Sequence, residues 1–225
     1  MGFSGIDILF DGTNLTRLLK GMWLVAEISL ISLVIGLSLG VLFGILRTSK
    51  SRIIKVIFKL YLEIFRILPL LVLLFLFYYI LPEMFQTTIS NITVSIIVFV
   101  LWISSEMSDI VRSALVSVPK TQTDAGRAIG LNKLQQYRFI YLPQSLPLVI
   151  PATLNLITRV IKTTSILLII GVPEMIKVGQ QIIEHYTIKV PTASLWVYGF
   201  IFLLYFILCW PISRLAKHLE SEVVR

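Results

Sequence analysis

Five stretches of this chain are long and apolar enough to cross a lipid bilayer, which leaves few folds open to it. A helix needs about 20 mostly apolar residues to span the hydrocarbon core. Within lipid, open strands and loops leave backbone polar groups without partners, so helices are the expected answer. The stretches cover about residues 23–46, 60–81, 88–110, 147–171 and 195–213. The first carries Glu27 as its only charge. Its length, and Gly36, Gly40 and Gly44 in place of a small-residue cleavage site, separate it from a cleavable signal peptide.

Composition points the same way. Of 225 residues, 56% are hydrophobic and 14% charged, with a mean hydropathy of +0.90. A soluble domain has roughly 45–50% and 25%. A water-exposed globule is excluded, and so is intrinsic disorder, which needs low hydrophobicity. Cys209 is the only cysteine, so there is no disulfide framework and no Cys-based metal site. The net charge of +8 would suggest nucleic acid in a soluble protein; in a membrane protein, where the charges fall matters more.

They fall unevenly. The first loop, the connection between spans three and four, and the tail hold thirteen Lys and Arg, from Arg47 to Arg225. The opposite side holds four: Arg17, Lys20, Lys177 and Lys189. The positive-inside rule then puts the N-terminus outside and the C-terminus in the cytoplasm. His185 and His218 lie on opposite sides and cannot share a site, which removes a Ser/His hydrolase. Outside lie a leader over residues 4–20 and a segment over 173–186. Met175, Val178, Ile182 and Ile183 share one face of the latter, predicting a short interfacial helix. The glycines of span one form a ridge that permits close helix packing. Trp196, Tyr198, Tyr205 and Trp210 read as interfacial anchors or lipid-facing bulk.

The cytoplasmic connection, about residues 117–146, is too long for a turn and too patterned for a linker. Thr121 or Thr123 can cap a helix whose positive end suits Asp124. Ala125, Gly126 and Ala128 leave a nearly bare surface, and Gly130 fits the left-handed position after a helix. A second short stretch with Leu134, Tyr137 and Phe139 is expected to stop at Leu142-Pro143. From the residues alone, two readings stand: a hairpin packed back on its own bundle, or a docking site for another protein.

Resemblance favours the second. Asp124-Ala125-Gly126, then Gly130, then Ile140-Tyr141-Leu142-Pro143 resembles the EAA motif of bacterial ABC importer permeases, with Asp for Glu and Gly for Ala. Phe65-Arg66-Ile67-Leu68-Pro69-Leu70-Leu71, Leu142-Pro143-Gln144-Ser145-Leu146 and Lys162-Thr163-Thr164-Ser165 are similar to stretches of the polar amino acid uptake subfamily. The likeness covers roughly residues 15–215. It implies an all-α integral membrane protein with a five-helix, type I importer permease bundle, forming one transmembrane domain. It also implies a transport subunit rather than an enzyme. The expected partners are two cytoplasmic ATP-binding subunits, a second permease chain (like or unlike), an extracytoplasmic solute-binding protein, an amino acid substrate and membrane lipid, with no nucleic acid. ATP and Mg would sit on the partner, because this chain has no Gly-rich phosphate loop. The location implied is the bacterial cytoplasmic (inner) membrane. Coupling to the ATPase would use Thr123, Asp124, Ala125, Gly126, Arg127, Ala128, Gly130 and Pro143, although Arg127 and Lys133 also read as ordinary loop charges.

Polar residues within spans are costly and mark a passage or a pairing. At about 1.5 Å per helical residue, three segments bring such residues to similar depth. They are Arg66 and Pro69, with Leu68 between them counted to the passage; then Ser104, Ser105, Glu106 and Asp109; then Arg159, Lys162, Thr163, Thr164 and Ser165. In one reading they line a path for a zwitterion, with Arg159 or Lys162 on the carboxylate, Glu106 on the ammonium and Thr163, Thr164 and Ser165 offering hydroxyls. In the other, Glu106 merely neutralises Arg159 or Lys162. Thr163, Leu68 and Glu106 replace an Asp, a Thr and an aromatic residue common in the subfamily. Ligand identity stays open, as does whether this is the non-binding half of a heterodimer. The rivals from other classes are an intramembrane enzyme, for which no nucleophile–base pair or metal cluster shares one depth, and a passive channel.

Overall fold

The computed structural model describes residues 5–223, so Ser4 and Arg225 of the reading above lie outside the described residues. Among the described residues the structure is helical, without a strand. A short α1 (Asp7–Phe10) leads into α2 (Asn14–Leu46). Then come α3 (Arg52–Leu62), α4 (Leu70–Phe75), α5 (Leu81–Phe85), α6 (Asn91–Val116) and α7 (Lys120–Ala128). A capped α8 (Lys133–Gln136) runs through a π-turn into α9 (Leu142–Thr163), followed by α10 (Met175–Tyr186) and α11 (Ala193–Val223).

Four helical stretches are long and apolar enough to cross a membrane: Asn14–Leu46, Asn91–Val116, Lys133–Ile170 and Ala193–Ser221. The expected span over 60–81 departs from a straight helix. Arg52–Ile67 and Leu70–Phe85 qualify only as a pair, bent by 100° at the break between them. The cause is local. Pro69 has no N–H and crowds the residue before it, so Leu68 takes an extended ψ of 137° after a π-turn over Glu63–Ile67. The depth assigned to Arg66 and Pro69 by counting along a straight helix therefore does not hold.

The expected stop at Leu142-Pro143 is also absent. Pro143 directly follows the π-turn over Tyr137–Tyr141, the local widening that lets a residue without an N–H continue the helix, and Pro147 and Pro151 are accommodated inside α9. The chain stays helical from Lys133 to Ile170.

The helices pack as two units. One comprises residues 5–32, Leu71–Val98 and Arg159–Pro211; the other comprises Leu33–Leu70, Phe99–Thr158 and residues 212–223. In the second unit the glycine ridge of α2 lies against α6. A Cβ added at Gly36, Gly40 or Gly44 would sit 2.8, 2.4 or 2.6 Å from the Cβ of Ile103, Met107 or Val111. Only hydrogen fits there, so the ridge is packing, as expected.

The first unit has its own core of Ile8, Leu18, Val25, Ile28, Leu74, Leu167 and Val197. Gly21 lets α2 approach the backbone at Met175, where an added Cβ would lie 2.9 Å from the amide nitrogen. Met175, Val178 and Ile182 are buried. The shared face predicted for α10 is present, but it is covered by protein rather than resting at a lipid interface.

Candidate functional site

The cytoplasmic connection forms the helix the sequence predicts, with two changes. Pro119, extended at ψ 135°, occupies the N-cap without a side-chain cap. Thr123 lies inside the helix and donates its hydroxyl to the Lys120 carbonyl at 2.8 Å, so neither threonine caps. Gly126 is the second change. It faces inward, where an added Cβ would meet Ile140 Cδ1 at 2.5 Å. Asp124, Ala125, Arg127 and Ala128 face outward and are exposed.

The C-terminal end of α7 is well determined. Gly130 has φ +84°; its N–H reaches the Arg127 carbonyl, and the Leu131 N–H reaches that of Gly126, both at 3.0 Å. This double closure is the Schellman arrangement, and it requires the left-handed residue that Gly130 supplies. Beyond it Ile129, Leu134 and Phe139 expose most of their apolar surface. Pro143 is exposed as well. Behind α7 lies a cavity of about 290 Å³ lined by Thr48, Lys120, Thr123, Tyr137 and Tyr141 among others.

Of the passage residues, the structure brings Arg66, Glu106 and Asp109 together and adds Arg47, which the sequence reading did not join to them. Arg66 Nε meets Glu106 Oε1 at 3.1 Å, and its Nη1 meets Asp109 Oδ2 at 2.9 Å. Arg47, counted above as a loop charge, meets Asp109 Oδ1 at 3.3 Å and donates to Ser108 at 3.1 Å. The partner expected for Glu106 was Arg159 or Lys162; the carboxylate is paired with Arg66. Next to this cluster, Tyr61 donates to the Leu101 carbonyl at 2.7 Å and lies 2.6 Å from the Ser104 hydroxyl. The cluster thus ties the end of α2 and the bent α3 segment to α6. Leu68 and Pro69 are exposed at the bend.

Arg159, Lys162, Thr163, Thr164 and Ser165 belong to the other unit, at the end of α9. Arg159 and Lys162 are exposed. The three hydroxyls turn back on their own helix: Thr163 donates to Arg159 O, Thr164 to Ile161 O and Ser165 to Lys162 O, at 2.7–2.9 Å. Such back-bonding bends helices, and here the chain tightens into a 3-10 helix over Thr164–Ile170, ending at Gly171 with φ +79°. These hydroxyls keep acceptor capacity but spend their protons on the backbone.

Sequence reading missed Glu174. It is 0% exposed and caps α10, accepting from Lys177 N at 2.8 Å and Ile176 N at 3.0 Å, with Tyr205 donating at 3.3 Å. Burial pushes its carboxyl above the ordinary value, against the pull of the two N–H donors. The available signal was an acidic residue directly before an apolar-periodic run. Tyr205, expected as an anchor or lipid-facing residue, serves this cap.

A multi-pass helical bundle with paired charges in its spans, and a small-residue helix exposed on a long connection, is the build of a membrane transport permease. The chain belongs to the family described as binding-protein-dependent transport system inner membrane component, which matches residues 32–225. It is 29% identical over 211 residues to the inner membrane amino-acid ABC transporter permease protein YhdY of Escherichia coli (strain K12), covering 92% of this chain but 56% of that protein. The chain thus spans little more than half the length of that relative. It is 32% identical over 177 residues to the probable amino-acid permease protein YxeN of Bacillus subtilis (strain 168), covering 78% and 79% of the two chains. A solved amino acid ABC transporter "with histidines" matches with a TM-score of 0.85 and 22% identity, covering 99% of this chain and 100% of that one. That likeness speaks for the fold. The importer-permease resemblance and the five-span helical class are borne out.

Proposed function

We propose that this chain is the transmembrane permease subunit of an ATP-driven importer that moves an amino acid across a bacterial cytoplasmic membrane. Its N-terminus lies outside and its C-terminus in the cytoplasm, following the bias of Lys and Arg. Two ATP-binding subunits, holding ATP and Mg, seat α7. A second permease chain completes the passage, because five spans alone enclose little space, and a solute-binding protein delivers cargo from outside. The amino acid cargo rests on the relatives, whose names specify it.

The carrying observation is the build of α7. Thr123 and Gly126 face inward, Asp124, Ala125, Arg127 and Ala128 face outward, and Gly130 closes the end. A short helix closed in this way and nearly bare outside is suited to transmit force from a cleft in a neighbour. Closure of the ATPase would shift α7, and through Ile140 and the helix that continues past Pro143 it would shift α9. Lys162 and Arg159, exposed at the end of α9, carry the charge that would attract a carboxylate. Glu106 reaches an ammonium only by loosening Arg66, which makes the pair an internal stand-in for the charges of the cargo.

The test is a cysteine crosslink from Ala125 or Ala128 in native membranes. Capture of a nucleotide-hydrolysing subunit supports the reading. Absence of such capture, together with solute flux by this chain alone, would replace it with a passive channel.

A further inference from the structure

The basic residues that set the orientation are not spread evenly. Arg47, Lys55, Lys59 and Arg112 converge with Leu62 and Glu63 on one open cavity of about 360 Å³. Glu63 is the only acid in that lining. It meets Lys59 at 3.7 Å, with both side chains about half exposed or more, where a pair contributes little. Among the described residues, Lys55 and Arg112 have no ion pair. Arg47 is directed to Asp109 and Ser108. Burial lowers the Arg47 pKa, Asp109 opposes that, and the nearby positive charges of Arg112 and Arg66 lower it further. Like charges gathered this way favour an anion among them.

Helix α3 gives the cavity its setting. Lys55 and Lys59, one turn apart, line it. Ile53, Val56, Ile57 and Leu60 on the same helix are each more than half exposed. A helix with a basic face and a bare apolar face lies in the interface, its apolar side at the acyl boundary and its basic side among headgroups. Basic pockets between membrane helices at this level suit acidic lipid headgroups.

We propose that this cavity binds the phosphodiester headgroup of an acidic phospholipid, with Lys55 and Arg112 as phosphate ligands and Arg47 and Lys59 adding to the field. Inorganic phosphate carries the same chemistry. The exposed apolar face of α3 favours the lipid, because acyl chains can lie along it. The inference is independent of the transport reading.

The experiment uses the full-length protein in whatever assembly it purifies, titrated with phosphatidylglycerol or phosphatidylethanolamine and read by native mass spectrometry. Phosphatidylglycerol should be retained in preference. Lys55→Gln combined with Arg112→Gln should weaken it about 30-fold, since each basic residue near an anionic surface contributes roughly fivefold. The swap Lys55→Arg with Arg112→Lys should restore most of the binding, which rules out misfolding as the cause. Arg214→Gln with Lys217→Gln removes equal charge from the tail and should leave binding unchanged. Equal retention by the Lys55/Arg112 double variant, or an equal loss in the tail variant, overturns the proposal. So does binding of inorganic phosphate with the same variant sensitivity in the absence of any phosphatidylglycerol preference.

Discussion

Glu174, at the start of α10, and Glu106 with Asp109, on α6, are carboxylates that the fold shields from water by different means. Glu174 is wholly buried and is satisfied by two backbone N–H groups of its own helix plus one hydroxyl. Glu106 and Asp109 keep 14% and 32% of their side-chain surface and are satisfied by the guanidinium groups of Arg66 and Arg47. Dipoles stabilise Glu174, through two backbone N–H groups and a hydroxyl, and countercharges stabilise the other two. The difference has consequences. A carboxylate held by dipoles alone can take up a proton without losing its place, whereas one held by guanidinium groups loses its binding energy when neutralised. The first kind is suited to a fixed joint, the second to a contact that exchanges partners.

The largest effect is expected at the joint. Glu174→Ala leaves the N–H groups of Ile176 and Lys177 unmet and removes the Tyr205 contact, costing about 2–4 kcal/mol. Unfolding in mixed detergent micelles would measure it, and a loss under about 1 kcal/mol would mean that water replaces the cap. The pH dependence sharpens the contrast. With its folded pKa raised above the ordinary 4.5, Glu174 binds a proton in the folded state that the unfolded chain has already lost. Its contribution is therefore complete below 4.5 and is lost as pH rises toward the folded value. Wild type should gain stability relative to Glu174→Gln as pH falls from above the raised folded pKa toward 4.5, because the Gln variant keeps an acceptor oxygen and does not titrate. Parallel pH profiles would refute the assignment.

At the charge cluster the effect should be smaller. Arg66 is 37% exposed and Asp109 keeps Arg47, so Arg66→Leu should cost about 1–2 kcal/mol, below the range for a fully buried pair. Combined with Asp109→Asn, the loss should be less than the sum of the single losses, because each single variant already removes the shared Arg66–Asp109 contact. Simple additivity would show that the contacts carry no coupling and that the cluster is only a set of neighbours.

How much of this could be read from the chain follows from what is local. Apolar length alone revealed four of the long helices and the bent pair, and glycine spacing alone revealed the ridge of Gly36, Gly40 and Gly44. Gly130 was legible because a left-handed turn after a helix calls for glycine in itself. Pro69 and Pro143 look alike in sequence yet act oppositely. One breaks a helix and the other is carried through one, since Pro69 follows a residue turned to extended backbone while Pro143 follows a π-turn that keeps the chain helical. The Arg47–Asp109 contact joins residues 62 positions apart, and no periodicity encodes such a pairing. Glu174 was missed because its burial comes from Gly21 and Tyr205, which lie far from it in the chain. For α7, the inward turn of Gly126 depends on Ile140, beyond the reach of a motif read as one surface.

The smallest effect on stability separates both carboxylate regions from a third. Asp124 and Arg127 pair at 3.5 Å on α7, three residues apart, with 51% and 65% of their side-chain surfaces in contact with water. Such a pair contributes less than about 0.5 kcal/mol, so Asp124→Asn should unfold with wild type. If α7 seats in an ATP-binding neighbour, the same variant should lower amino-acid-driven ATP hydrolysis in the assembled transporter while leaving the chain equally stable. A stability loss above about 1 kcal/mol would mean that exposure does not rank these charges, and the contrast with Glu174 would lose its basis. Full hydrolysis with full stability would take Asp124 out of the coupling surface and leave Ala125 and Ala128 to carry it, because the docking contact would then depend on the bareness of the helix and not on its charge.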